Sequence, residues 1–299
     1  MKSKILAARA YTFCGLICVC VLLLSQCGID RSQTVVLGCK NFTEQIILGE
    51  IIAQMIEQNT KLKVVRKWNL GGTMVCHQAL LAGEIDLYPE YTGTAYMNVL
   101  GQNTIQDATR TFKFVQQKYL EEFQCEWLPA FGLNNTYTIT VRREDAEKWN
   151  VKSISGLQSF AGELTAGFTA EFMERQDGWP QLREQYGLPF AKVVDLEPGL
   201  MYEAIANNNV DVICGFSTDG RISVYDLVAL EDDLHFFPPY YAAPVARTAV
   251  FDLHPELKGL LSQLAGSLDN QTMQELNLQV DEHKVAPKSV AKEFLATMN

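Results

Sequence analysis

The sequence predicts an α/β fold in two halves, each a central, mostly parallel sheet flanked by helices. Three observations predict it. The first hundred residues alternate strand, helix, strand, helix, strand, the rhythm of a parallel sheet with crossover helices. That rhythm restarts beyond Arg142. No stretch rich in Ser, Gly or Pro separates the halves, so two domains joined by crossing strands fit better than two beads on a linker.

Each element follows from its residues. Thr34 to Cys39 is β-branched and apolar and reads as a buried strand. Lys40-Asn41-Phe42-Thr43-Glu44-Gln45 then turns into a helix that Asn41 or Thr43 can cap, with Glu44 favourable in its first turn. Ile47, Leu48, Ile51, Ile52, Met55 and Ile56 recur at helical spacing. Leu62 to Trp68 is the next strand, Asn69-Leu70-Gly71-Gly72-Thr73 a tight loop, and Met74 to Leu81 a helix. A strand follows Asp86 and should stop at Pro89, which has no N–H for a ladder. Thr104 to Phe123 reads as a helix and Thr138 to Arg142 as an alternating strand. In the second half the strands are Leu164–Phe168, Lys192–Leu196, Val210–Phe216 and Val224–Leu230. Helices lie at Ile154–Phe160, up to Tyr186, and at Gly199–Asn207. After Pro238-Pro239 the chain returns to a final strand and two C-terminal helices.

The 299 residues carry a formal net charge of -10, with scattered Lys and Arg, which argues against nucleic acid as a partner. At the N-terminus Lys2, Lys4 and Arg9 precede an apolar run from Tyr11 to Leu24, the layout of a secretory signal. The run is short for a membrane span, which needs about 20 apolar residues. Cys27 directly after it resembles a bacterial lipoprotein processing site, although Gln26 departs from the usual Gly, Ala or Ser. A plain signal peptide and an uncleaved anchor are the alternatives. All three export the rest of the chain. Of the remaining cysteines, Cys39, Cys76, Cys125 and Cys214 lie in the body. Export permits disulfides. Four buried thiols are the simpler expectation, and Cys39 with Cys76 the pair to consider if one bridge forms. No Cys or His spacing suits a metal, and no cofactor is expected.

Leu87-Tyr88-Pro89-Glu90-Tyr91-Thr92-Gly93-Thr94 places two tyrosines at the C-terminal end of a strand, where open α/β sheets bind ligands. It occurs in a series: Lys40 to Gln45, Asn69 to Thr73, Tyr88 to Thr94, Asn134-Asn135-Thr136-Tyr137 and Ser217-Thr218-Asp219-Gly220-Arg221. Together and in this order they resemble the substrate-binding proteins of bacterial ABC importers for quaternary ammonium compounds: glycine betaine, proline betaine, carnitine and choline. The resemblance covers nearly the whole chain after Gln33. It implies a two-lobed periplasmic-binding-protein fold of type II with two crossing strands as hinge. Residues 34–135 and 242–299 would form lobe one and 136–241 lobe two.

The resemblance also implies site residues. An aromatic cage for the trimethylammonium group maps onto Tyr91, Tyr137 and Tyr240. The fourth cage position falls at Phe216, a departure that keeps the π face and loses a polar group. The family's carboxylate ligands map onto Lys40, Thr94 and Arg175. The chemistry is coherent: a diffuse cation needs π faces, whereas a carboxylate needs Lys or Arg donors. Those donors tilt the expectation from choline toward betaines. Tyr88, Tyr241 and, more weakly, Tyr202 compete for the cage positions. Arg175 could instead form a surface ion pair with Glu171 or Glu174, Lys40 could be a solvated loop residue, and Asp219 with Arg221 reads as a turn clasp. The implied partners are an ABC permease, an ATPase and, through Cys27, a membrane. The chain itself has no phosphate-binding loop. The rival functions are a tethered sensor of the same fold and a Cys/His hydrolase. Cys76-His77, His235, His254 and His283 are the hydrolase's only support, none of them in a nucleophile motif.

Overall fold

A computed structural model describes residues 30–103 and 105–298, so the expectations for the signal segment and Cys27 lie outside the described residues. By contacts the chain divides into two units, Met1–Thr34 and Val35–Asn299, and the second carries the core and the cleft. The strands are β1 (Thr34–Gly38), β2 (Lys63–Lys67), β3 (Leu87–Tyr91), β4 (Cys125–Trp127), β5 (Tyr137–Arg142), β6 (Thr165–Phe168), β7 (Lys192–Asp195), β8 (Val212–Phe216), β9 (Leu227–Ala229) and β10 (Ala242–Arg247). They form two five-stranded sheets with orders β2-β1-β3-β10-β4 and β7-β6-β8-β5-β9.

Both sheets are mixed. In the first, β1 and β3 run parallel, while β10 is antiparallel to β3 and β4. In the second, β6 is parallel to β7 and β8, and β5 is antiparallel to β8 and β9. The antiparallel strands β5 and β10 are those by which the chain enters one sheet and returns to the other. Their approaches touch at an isolated antiparallel bridge, Asn134 to Tyr241, flanked by Asn135 N–H donating to Tyr240 O at 3.1 Å.

Pro89 does not end its strand. β3 runs on to Tyr91, in register with β10 from Leu87–Ala246 to Tyr91–Ala242. Pro89 stands opposite Pro244. Thr92 N–H donates to Tyr241 O and Arg247 N–H to Asp86 O, so the Pro89–Pro244 pair, three rungs from each, is one at which this ladder exchanges no hydrogen bonds, and the missing N–H groups cost it nothing.

Other boundaries also move. The first helix spans Thr43–Asn59, and its N-cap is Phe42 without a side-chain cap. Thr43 Oγ1 donates instead to Asp281 Oδ1 at 2.6 Å. The helix expected from Thr104 spans Ala108–Phe123, where Asp107 Oδ1 accepts from Arg110 N–H and fixes the start. Val224–Leu230 is not one strand: a helical turn, Arg221–Val224, precedes the short β9. After β10 come four helices rather than two: Thr248–Leu253, Glu256–Ser262, Asn270–Asp281 and Pro287–Thr297. No helix among the described residues is long and apolar enough to cross a membrane. Cys39, Cys76, Cys125 and Cys214 are all free and buried, as the simpler expectation had it, and no Cys39–Cys76 bridge forms.

Candidate ligand-binding cleft

Strand ends build the cleft. Lys40 and Phe42 follow β1, Tyr91 closes β3, and Thr94 lies one helical turn beyond it. Tyr137 opens β5, Glu171 and Arg175 follow β6, Phe216 closes β8, and Tyr240 precedes β10. These side chains line one cavity of about 190 Å³. All seven residues expected in a site, Lys40, Tyr91, Thr94, Tyr137, Arg175, Phe216 and Tyr240, are among its walls. The rivals Tyr88, Tyr202 and Tyr241 are not. Tyr88 donates its hydroxyl to Glu90 at 2.9 Å, and Tyr202 accepts the Phe216 N–H at 2.8 Å from beneath β8.

The aromatic rings form a connected wall. Phe42 stacks on Tyr91 at 6.3 Å and on Phe216 at 5.4 Å, nearly parallel to the latter. Tyr137 lies 5.3 Å from Phe216 and meets Tyr240 edge-on at 5.9 Å. Phe42 is thus an aromatic wall residue that sequence reading passed over. It sits inside the motif Lys40 to Gln45, at the turn into the first helix.

The cationic residues are buried and already engaged. Lys40 Nζ donates to Glu90 Oε1 at 2.6 Å and to Thr73 Oγ1 at 2.8 Å, and stands 5.2 Å from the Tyr91 ring centre. It is therefore not a solvated loop residue. Arg175 grips Asp177 with two parallel bonds, Nε to Oδ1 at 2.7 Å and Nη2 to Oδ2 at 2.5 Å. It also donates to Glu171 Oε1 at 3.1 Å and to Thr94 Oγ1 at 3.0 Å. The pairing with Glu171 that the sequence allowed does form, but with a buried guanidinium rather than at the surface.

Asp177 also accepts from the Tyr240 hydroxyl at 2.6 Å and from Asn98 at 2.7 Å. Burial pushes its carboxyl up, but Arg175 and these donors outweigh burial and hold it below the usual range. Beneath Tyr91 the balance runs the other way. Glu44 accepts from the Tyr91 hydroxyl at 2.7 Å, from Asn135 at 2.9 Å and from Thr218. Burial still raises its carboxyl above the ordinary value.

Asp219 and Arg221 form an ion pair with each other and line a neighbouring cavity of about 140 Å³, as a turn clasp should. Cys76 and His77 lie in the core. His77 packs edge-on against Tyr119 and Phe123, and burial lifts the Cys76 thiol to about 12, so it is no thiolate nucleophile. No group of three His, Cys, Asp or Glu among the described residues is placed to hold a metal.

A cleft of strand ends with aromatic walls and buried cations suits a small ligand. Residues 33–297 match the family model described as the substrate binding domain of an ABC-type glycine betaine transport system. The chain belongs to that family. It is 37% identical over 306 residues to a carnitine transport binding protein of Listeria monocytogenes, covering 100% of this chain and 98% of the relative. It is 34% identical over 291 residues to a glycine-betaine-binding protein of Pseudomonas aeruginosa, covering 93% and 92%. A solved structure described as a glycine betaine/carnitine/choline ABC transporter superposes with a TM-score of 0.72 at 32% identity, covering 88% of this chain and 97% of that one. The fold is accordingly the two-lobed periplasmic-binding-protein fold, each lobe carrying one sheet. The family consists of extracytoplasmic substrate-binding proteins of ABC importers for quaternary ammonium compounds, and not of enzymes.

Proposed function

We propose that this family member binds glycine betaine and proline betaine-type osmolytes by an aromatic cage and a carboxylate clamp. Tyr91, Tyr137, Phe216 and Tyr240 surround the trimethylammonium group, whose methyls carry the positive charge and offer no N–H donors. Lys40, Thr94 and Arg175 meet the carboxylate. The observation that carries the reading is the meeting of all seven residues on one cavity, although they are spread from Lys40 to Tyr240 along the chain. Exposed Asp195 and Glu197 beside the cavity add negative charge that draws cations in.

Lobe one consists of residues 34–135 and 242–299, and lobe two of 136–241. Ligand contacts from both lobes favour the closed form, which an ABC permease powered by its ATPase then recognises. Residues 1–27 direct export, and Cys27 takes a lipid that holds the protein at the outer face of the cell membrane. Carnitine is the second candidate, since a 37% identical relative is named for it. It shares the ammonium and carboxylate ends, so the same residues serve it.

Calorimetric titration with glycine betaine, carnitine and choline separates these readings. The clamp predicts that both zwitterions bind more tightly than choline, which has no carboxylate. Choline binding best would remove the clamp from the account and leave the cage.

A further inference from the structure

Glu171 stands in the cleft on the short helix Ala170–Glu174, just after β6, with 29% of its side chain exposed. It reaches across to the other sheet's side. Its Oε1 accepts from the Thr73 backbone N–H at 3.2 Å and from Arg175 Nη1 at 3.1 Å. The Thr73 N–H belongs to the first turn of the helix Thr73–Leu81, whose dipole favours an anion. Lys40 attracts the same carboxylate. Glu171 therefore sits among the cations that the proposed clamp offers to a ligand's carboxylate.

The donors are nearly spent. Four of the guanidinium's five N–H groups are engaged, two by Asp177, one by Thr94 and one by Glu171. Asp177 and Glu90 are fully buried and hold their cations from behind. Glu171 is the partner able to swing into solvent.

Gly72 makes room for it. A Cβ at this position would stand 2.6 Å from Glu171 Oε2 and 2.9 Å from its Cδ. The Gly72 backbone is ordinary extended chain, φ -79°, so what a side chain there displaces is the carboxylate.

We infer that Glu171 is a built-in rival for the ligand's carboxylate, and so sets the preference between purely cationic and zwitterionic quaternary ammonium ligands. This rests on the cage-and-clamp reading. With Glu171 seated, the carboxylates touching Lys40 and Arg175 outnumber these two cations by one, which suits a simple cation. With Glu171 swung out, the charges balance and Arg175 Nη1 is free to meet a zwitterion. Burial pushes the Glu171 carboxyl up, but Arg175, Lys40 and the Thr73 N–H hold it below the usual range, so the rival is ionised at neutral pH.

Calorimetry on the full chain, with choline and glycine betaine as probes, compares the wild type with Glu171→Gln and Gly72→Ala. The first variant removes the charge and keeps the shape. The second keeps the charge and unseats it. Both should tighten glycine betaine about tenfold, the scale of one hydrogen bond to a charged group, and tighten choline not at all. Equal factors for the two probes, or a loosening of glycine betaine, overturn the inference and leave the ammonium reading standing. A wild type that binds neither probe overturns that reading and this inference with it.

Discussion

Tyr91 is held at every end. Its hydroxyl donates to Glu44, its N–H donates to Glu90 at 2.7 Å, its ring stacks on Phe42 at 6.3 Å, and Lys40 Nζ stands 5.2 Å from its centre. Such a ring loses little freedom when a ligand arrives. Tyr91→Ala should weaken every quaternary ammonium ligand about tenfold or more, the range of a desolvated cation–π contact. Tyr91→Phe keeps the face and should lose less. Calorimetry on both variants checks this, and an equal loss in the two would assign the effect to Glu44 rather than to the face. Of the residues proposed to meet the ligand, Lys40, Tyr91, Thr94 and Tyr137 were legible inside motifs, Phe216 stands just before one, and Arg175 and Tyr240 lie in none and came from the resemblance alone. Their counter-ions were not legible. Lys40 finds Glu90 only because β1 and β3 are neighbours, and Asp177 gains Tyr240 and Asn98 only when distant segments converge. Removing one member of a buried pair costs about 3–5 kcal/mol because the other charge is left behind, so Arg175→Ala mixes instability with lost recognition.

Between elements, a tight fit beside the cleft lies where the turn Thr92–Thr94 meets the crossing segment before β10. A Cβ on Gly93 would come within 2.8 Å of Pro239 O and 2.9 Å of Tyr240 Cδ1. Thr92 fixes the same junction, its hydroxyl donating to Pro239 O and accepting from Tyr241 N–H, each at 3.0 Å. Gly93→Ala should therefore shift Tyr240, destabilise the fold by about 1–3 kcal/mol as overpacking does, and weaken glycine betaine binding. Urea unfolding with calorimetry reads both, and unchanged values would show that the junction gives way freely. Strand and helix order was largely legible from periodicity. The run of β3 through Pro89 was not, because the rule that stops a strand at proline assumes a rung that needs its N–H. Pro89 faces Pro244 across a rung at which β3 and β10 exchange no hydrogen bonds. Likewise the C-terminal helices were undercounted, since His254 and Pro255 interrupt a pattern that period alone does not divide.

At the scale of the molecule, contacts join the two sheets' sides across the cleft. Phe42 stacks on Phe216, Thr94 accepts from Arg175, and Glu171 accepts from Thr73. In the proposed closure, the two ends of a ligand join a seam of aromatic rings and ion pairs. That division of labour, π faces for a methylated cation and buried donors for an anion, is the central claim. The most direct measurement is calorimetric titration of the full chain with glycine betaine and, under the same conditions, with glycine. The two share a carboxylate and differ only in the methyls on nitrogen. Saturable binding of glycine betaine with no detectable binding of glycine is the result predicted. Equal affinities would contradict the cage.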